Sequence, residues 1–195
     1  MASLIMHLCM TQNLQKKYNL KNEILLGAIL PDIIKKSKLK TKKESHYIEK
    51  NENLPNINRY ININMKNGYN QIQLGYLFHL LQDKIWYQYL DEFKNRYNGE
   101  HNGFADKIHS DMNICDKYIL NKSNIDEEKF INIKLELEKM LNNSEMQSCI
   151  NESLKIRKIE NNQIYFITEN ILNEYIEKAI NECKLILKKL EYRYF

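Results

Sequence analysis

With 195 residues, a net charge of +4, two prolines and five glycines, the chain can build one sizeable core but has few turn-formers for a sandwich or barrel of short strands. Lysines and glutamates are interspersed along most of it, the usual pattern of a solvated surface, so no nucleic-acid partner is expected. An all-α single domain over residues 1–195 is the expected class.

Cys9, Cys115, Cys149 and Cys183 form no CxxC pair. They read as small buried hydrophobes in a reducing compartment, not as a zinc knuckle or a thioredoxin-like site. The segment MASLIMHLCMTQ lacks the basic start and unbroken apolar stretch of a secretory signal. No run approaches the roughly 18 to 20 apolar residues of a transmembrane helix, and a cytoplasmic protein is expected.

In chain order, residues 3–17 read as a helix starting after Ser3, apolar along Leu4, Ile5, Leu8 and Leu14. KNEILLGAIL, residues 21–30, reads as a second helix that Pro31 should end or kink, leaving Asp32 at a backbone break. The basic KKSKLKTKK that follows reads as an exposed loop before a short helical segment containing SHY. NENLPN, 51–56, is a turn-rich connection. INRYININMK alternates in places like a strand but has no convincing partner, so a short helix capped by Asn56 is expected.

A long helix is predicted from about Asn70 to Tyr97, then a loop over 98–103, helix over 104–120, and a helix from near Asp126 with Phe130, Ile133, Leu137, Met140 and Leu141 on one face. The last helix carries the clearest stripe: Ile171, Leu172, Tyr175, Ile176, Ala179, Ile180, Cys183, Leu187 and Leu190. Core packing is the expected use of that stripe.

Within the long helix, GYLFHLLQD places His79 and Asp83 four residues apart, hence on one face. An imidazole and a carboxylate so spaced can chelate one divalent cation, and mixed nitrogen and oxygen donors suit zinc and its first-row neighbours. Gly75, one turn earlier, leaves room for another segment to approach. In isolation the pair reads as a buried hydrogen bond before it reads as a metal site. It is accompanied, however, by His7 in SLIMH, Asp32 in GAILPD and His46 in KESHY, each among apolar or aromatic neighbours. Burying two acids and three imidazoles without a cation would be costly.

This ordered set, His7, LLGAILPD, SHY and GYLFHLLQD, resembles the small bacterial relatives of zinc-dependent phospholipase C, within the phospholipase C and P1 nuclease superfamily. The resemblance covers roughly the first half of the chain and implies a multi-helix bundle of that type. It implies that Asp32, His46, His79 and Asp83 hold one zinc ion, with Asp83 able to bridge to a second, and that His7 belongs to a neighbouring metal site. The family's further site uses a later histidine and an HxxxE pair. Here Tyr89 stands in the first neighbourhood, and His109 is followed by Asn113, leaving Asp116, or less comfortably Asp111, to stand in. One to two zinc ions are therefore expected, and a third is not supported.

The activity so implied is hydrolysis of a phosphoester by zinc-activated hydroxide, with Asp32 as ligand and base, acting on a small phosphoester or a phospholipid head group. Lys36, Lys40 or Lys43 could approach an anionic substrate, although a solvated loop is the ordinary account of such a run. Trp86 and Tyr87 could line a pocket or join the core. Two other readings compete: a metal-stabilised helical binding protein without turnover, and an HD-domain-like phosphohydrolase, against which the lack of an adjacent His-Asp dipeptide counts.

Overall fold

Side-chain caps start several helices in the computed structural model, which describes residues 2–97, 101–123, 125, 127–155 and 163–194. Ser3 accepts from the Met6 amide to open α1 (Leu4–Tyr18), and Asn19, in the left-handed region at φ 51°, closes it. Thr41 and Glu44 form a reciprocal capping box on the short α3 (Lys42–Ser45). Asn56 caps α4 (Ile57–Asn64), so INRYININMK is helical; Asn70 and Gln73 box the start of α5 (Gln71–Arg96). The remaining helices are α6 (His101–Lys122), α7 (Glu127–Lys139), α8 (Ser144–Ser153) and α9 (Glu169–Tyr194). Among the described residues the strand content is one isolated bridge between Ile48 and Pro55.

The break expected at Pro31 does not occur. Helix α2 runs Glu23–Lys36 with Pro31 inside it, so Asp32 sits on a continuous helical turn. Pro31 cannot donate to the Gly27 carbonyl, but Ile24, Leu25, Leu26, Ile29 and Ile33 are all buried, and that packing outweighs one missing helical bond. Residues 101–103, expected as loop, are helical, while 98–100 and Asp126 lie outside the described residues. Helix α8 was not expected at all; Asn143 caps it by accepting from the Met146 amide.

The central contact is α2 against α5, with α1 and α9 completing the shell around α5. It is a backbone contact. A Cβ on Gly27 would lie 2.1 Å from the Ile72 carbonyl oxygen, and one on Gly75 would lie 2.0 Å from that of Ile24. The space left at Gly75 is thus filled by α2 itself. Three turns further along α5, Trp86 is fully buried edge-on to Tyr175 of α9, with ring centroids 4.9 Å apart. The apolar stripe of α9 is core, as its spacing predicts. Among the described residues, no helix is long and apolar enough to cross a membrane.

Candidate metal centre

Four segments deliver five polar side chains to one buried point. His7 comes from α1, Asp32 from α2, His46 from the residue that ends α3, and His79 and Asp83 from α5. Four of them are wholly buried and Asp32 is 2 % exposed. His46 lies outside the long helices and is positioned by its surroundings. The Tyr76 hydroxyl donates to the Ser45 carbonyl, and the next residue, Tyr47, turns the chain at φ 54°. The rings of Tyr47, Tyr60 and Tyr76 pack together beneath it.

Each imidazole is held from behind. His79 Nδ1 lies 2.7 Å from the Ala28 carbonyl oxygen, which can only accept, so Nδ1 carries the proton. His7 Nδ1 lies 2.7 Å from Gln82 Oε1, and the Gln82 amide nitrogen donates to Thr11 Oγ1. His46 Nδ1 lies 2.8 Å from Ser45 Oγ, whose hydroxyl donates to the Lys42 carbonyl. With Nδ1 protonated in all three rings, each Nε2 presents a lone pair to the interior. Metal-binding histidines are typically oriented by such outward hydrogen bonds.

The inward atoms crowd together. His46 Nε2 is 3.3 Å from His79 Nε2 and 3.4 Å from Asp32 Oδ1. Asp83 Oδ2 is 3.5 Å from His46 Nε2 and 3.8 Å from His79 Nε2, while Asp83 Oδ1 is 3.4 Å from His7 Nε2 and accepts the Ala2 amide at 3.1 Å. His7 Nε2, Asp32 Oδ1 and Asp83 Oδ2 are buried without a hydrogen-bond donor. Buried polar atoms are rarely left so, and a cluster of orphaned acceptors calls for a cation.

Electrostatics agree. Burial, reinforced by neighbouring His7, drives the His79 imidazole down to about 3, so it is neutral at physiological pH. Burial raises both carboxyls, and Asp32 and Asp83 are held below the usual carboxylate range only where a donor proton or positive charge faces them from the imidazole side. Two carboxylates facing imidazole lone pairs need positive charge. Donor atoms of His7, Asp32 and His79 lie within 4.8 Å of one another, as do those of His46, His79 and Asp83. The five residues could therefore hold a metal ion.

His109 and Asp116 do not join them. His109 is exposed on α6, Asp116 accepts the Ser3 hydroxyl, and no three-donor group among the described residues includes either. Both instead border a cavity that reaches Asp32. Asp111 is committed elsewhere: Oδ1 accepts the Tyr165 amide and Oδ2 those of Phe166 and Ile167, tying the segment before α9 to α6. Trp86 is core, whereas Tyr87 is half-buried under the Lys42 ammonium, 4.9 Å from its ring centre. Gln82, missed by the sequence reading, left one signal: a glutamine next to Asp83 inside an apolar run.

No protein-family model matches the chain, and no curated protein or solved structure shows significant similarity to it.

Proposed function

We propose that the protein is a zinc-dependent phosphoester hydrolase of the phospholipase C and P1 nuclease type, with one to two ions held by His7, Asp32, His46, His79 and Asp83. The observation that carries this reading is the convergence of three Nε2 atoms, each ring tied back through Nδ1, on the carboxylates of Asp32 and Asp83. Nitrogen and oxygen donors in that mixture suit zinc or a first-row neighbour, not calcium. Asp83 offers one oxygen to the His46 and His79 side and the other to the His7 side, which suits a carboxylate shared between two ions.

When bound, a zinc-type ion supplies Lewis acidity toward a phosphoryl oxygen and lowers the pKa of water it binds to about 7. The residues do the rest. Asp32 is the member of the five that lines the adjoining cavity, so it is placed to ligate and to accept a proton from an entering water. The helices exclude solvent from the other four. A second reading, a metal-fastened helical protein without turnover, is favoured by one observation: His109 and Asp116 stay out of the buried group.

The test is metal analysis of untagged protein followed by assay on phosphomonoesters, phosphodiesters and phosphatidylcholine micelles. About one to two zinc-type ions per chain are expected by the ligand count, lost in His79→Ala, together with hydrolysis of at least one ester class. A chain purified without metal and indifferent to chelator would overturn the metal site. Metal without turnover across the panel would establish the structural reading.

A further inference from the structure

The cavity at Asp32 has a volume of about 360 Å³ and lies between α2, α6 and the end of α8. Its charge is distinctive. Lys35 and Lys36 follow Asp32 by three and four residues, about one helical turn and roughly 4.5–6 Å along the axis, and both line the cavity with Lys155. Lys36 Nζ donates to Ser153 Oγ at 2.8 Å, which holds it toward α8. Lys155 pairs with Glu152, but the two side chains are 59 % and 70 % exposed, and a water-exposed pair of this kind is readily exchanged for a more strongly charged partner. Among the described residues the acidic side chains that line it are Asp32 and Asp116, and Asp116 accepts the Ser3 hydroxyl.

The rest of the lining narrows the ligand further. Among the described residues no Trp, Tyr or Phe borders the cavity, so they offer none of the π-faces that best recognise a quaternary ammonium. Among the described residues Leu4 and Met112 are its apolar side chains beyond alanine, little surface for acyl chains. His109 and Asn113 add hydrogen-bonding groups from α6. Ammonium groups one turn from a phosphoryl-binding centre act as point charges for a further phosphate.

We infer that this cavity is the substrate pocket, and that it selects small phosphoesters carrying a second phosphate over monophosphates and over zwitterionic lipid head groups. The inference rests on the hydrolase reading, in which one phosphoryl group lies at Asp32 while Lys35, Lys36 and Lys155 receive the other.

The full-length, zinc-loaded chain is titrated by calorimetry with a hexose bisphosphate, the matching hexose monophosphate and phosphorylcholine, and turnover of each is followed by phosphate release. The bisphosphate should bind about tenfold or more tightly than the monophosphate, as expected for added charged hydrogen bonds, and the advantage should shrink with salt. The double variant Lys35→Gln, Lys36→Gln should lose most of that ratio while keeping its zinc content and melting temperature. Equal affinities, or a ratio unchanged in the double variant, would overturn the inference even where turnover is seen. A bisphosphate preference with no turnover of any ester would overturn the hydrolase reading, and with it the role of the cavity as a substrate pocket.

Discussion

The Nε2 atoms of His46 and His79 lie 3.3 Å apart, and the Nδ1 of each ring faces an acceptor outside the group. Neither ring has a proton to offer the other, so the contact is repulsive until a cation enters. Metal should therefore stabilise the native chain strongly. A ligand present at about a thousand times its Kd contributes about 4 kcal/mol, which for a domain of this size corresponds to roughly 8–16 °C in Tm. Melting with and without a strong chelator checks this, and His79→Ala should melt alike in both.

The same ring makes the metal-free protein acid-sensitive. His79 is held at about 3 in the native state against 6.5 for the unfolded chain. Between those values the unfolded state binds a proton that the native state excludes, so stability falls as pH drops from about 6.5 toward 3, by up to about 1.4 kcal/mol per pH unit. Urea midpoints in chelator from pH 7.5 down to 4.5 should decline. A flat profile would show that His79 is not neutral inside the fold.

Gly75→Ala should destabilise by about 3 kcal/mol, because the new Cβ meets main chain that cannot rotate away. That is roughly 6–12 °C in Tm. Gly103→Ala is the contrast. Its Cβ meets only the Tyr97 hydroxyl at 2.8 Å, the far end of a side chain, and alanine gains up to about 1 kcal/mol of helix propensity. Thermal melts of the two variants side by side should differ sharply, and similar melting points would contradict the α2 and α5 contact.

Asp111→Asn should weaken the fold without touching the metal. One of the two accepting oxygens becomes an NH2 facing a backbone donor, at the least the oxygen that accepts the Tyr165 amide, which costs about 2–3 kcal/mol. Hydrogen exchange at Tyr165, Phe166 and Ile167 should accelerate while the bound-metal content stays unchanged. Loss of metal instead would make Asp111 a ligand.

His79 and Asp83 could be read as a pair because helical spacing puts them on one face, and Gly75 could be read as an approach point because it removes a side chain from that face. Their convergence with His7, Asp32 and His46 is legible as a cost argument about buried polar groups and through the resemblance of the ordered motifs, not from spacing. The continuity of α2 through Pro31 is not legible, since a local rule about one missing hydrogen bond competes with packing that depends on residues 40 positions away. Asp111 shows the same limit: its three amide partners lie more than 50 residues along the chain. The α8 start was overlooked although Asn143 is an ordinary cap, because SEMQSCINES carries a weak apolar stripe with only Met146 and Ile150 buried.

From Gly27 and Gly75 both helices continue in the same chain direction to the cage, Asp32 five residues beyond one glycine and His79 four beyond the other. Main chain touching main chain cannot be repacked as side chains can. The spacing between the Asp32 carboxylate and the α5 donors is thus set in part by two residues that donate nothing to it. Exchanging one polar side chain of the group for another would leave that helix spacing untouched.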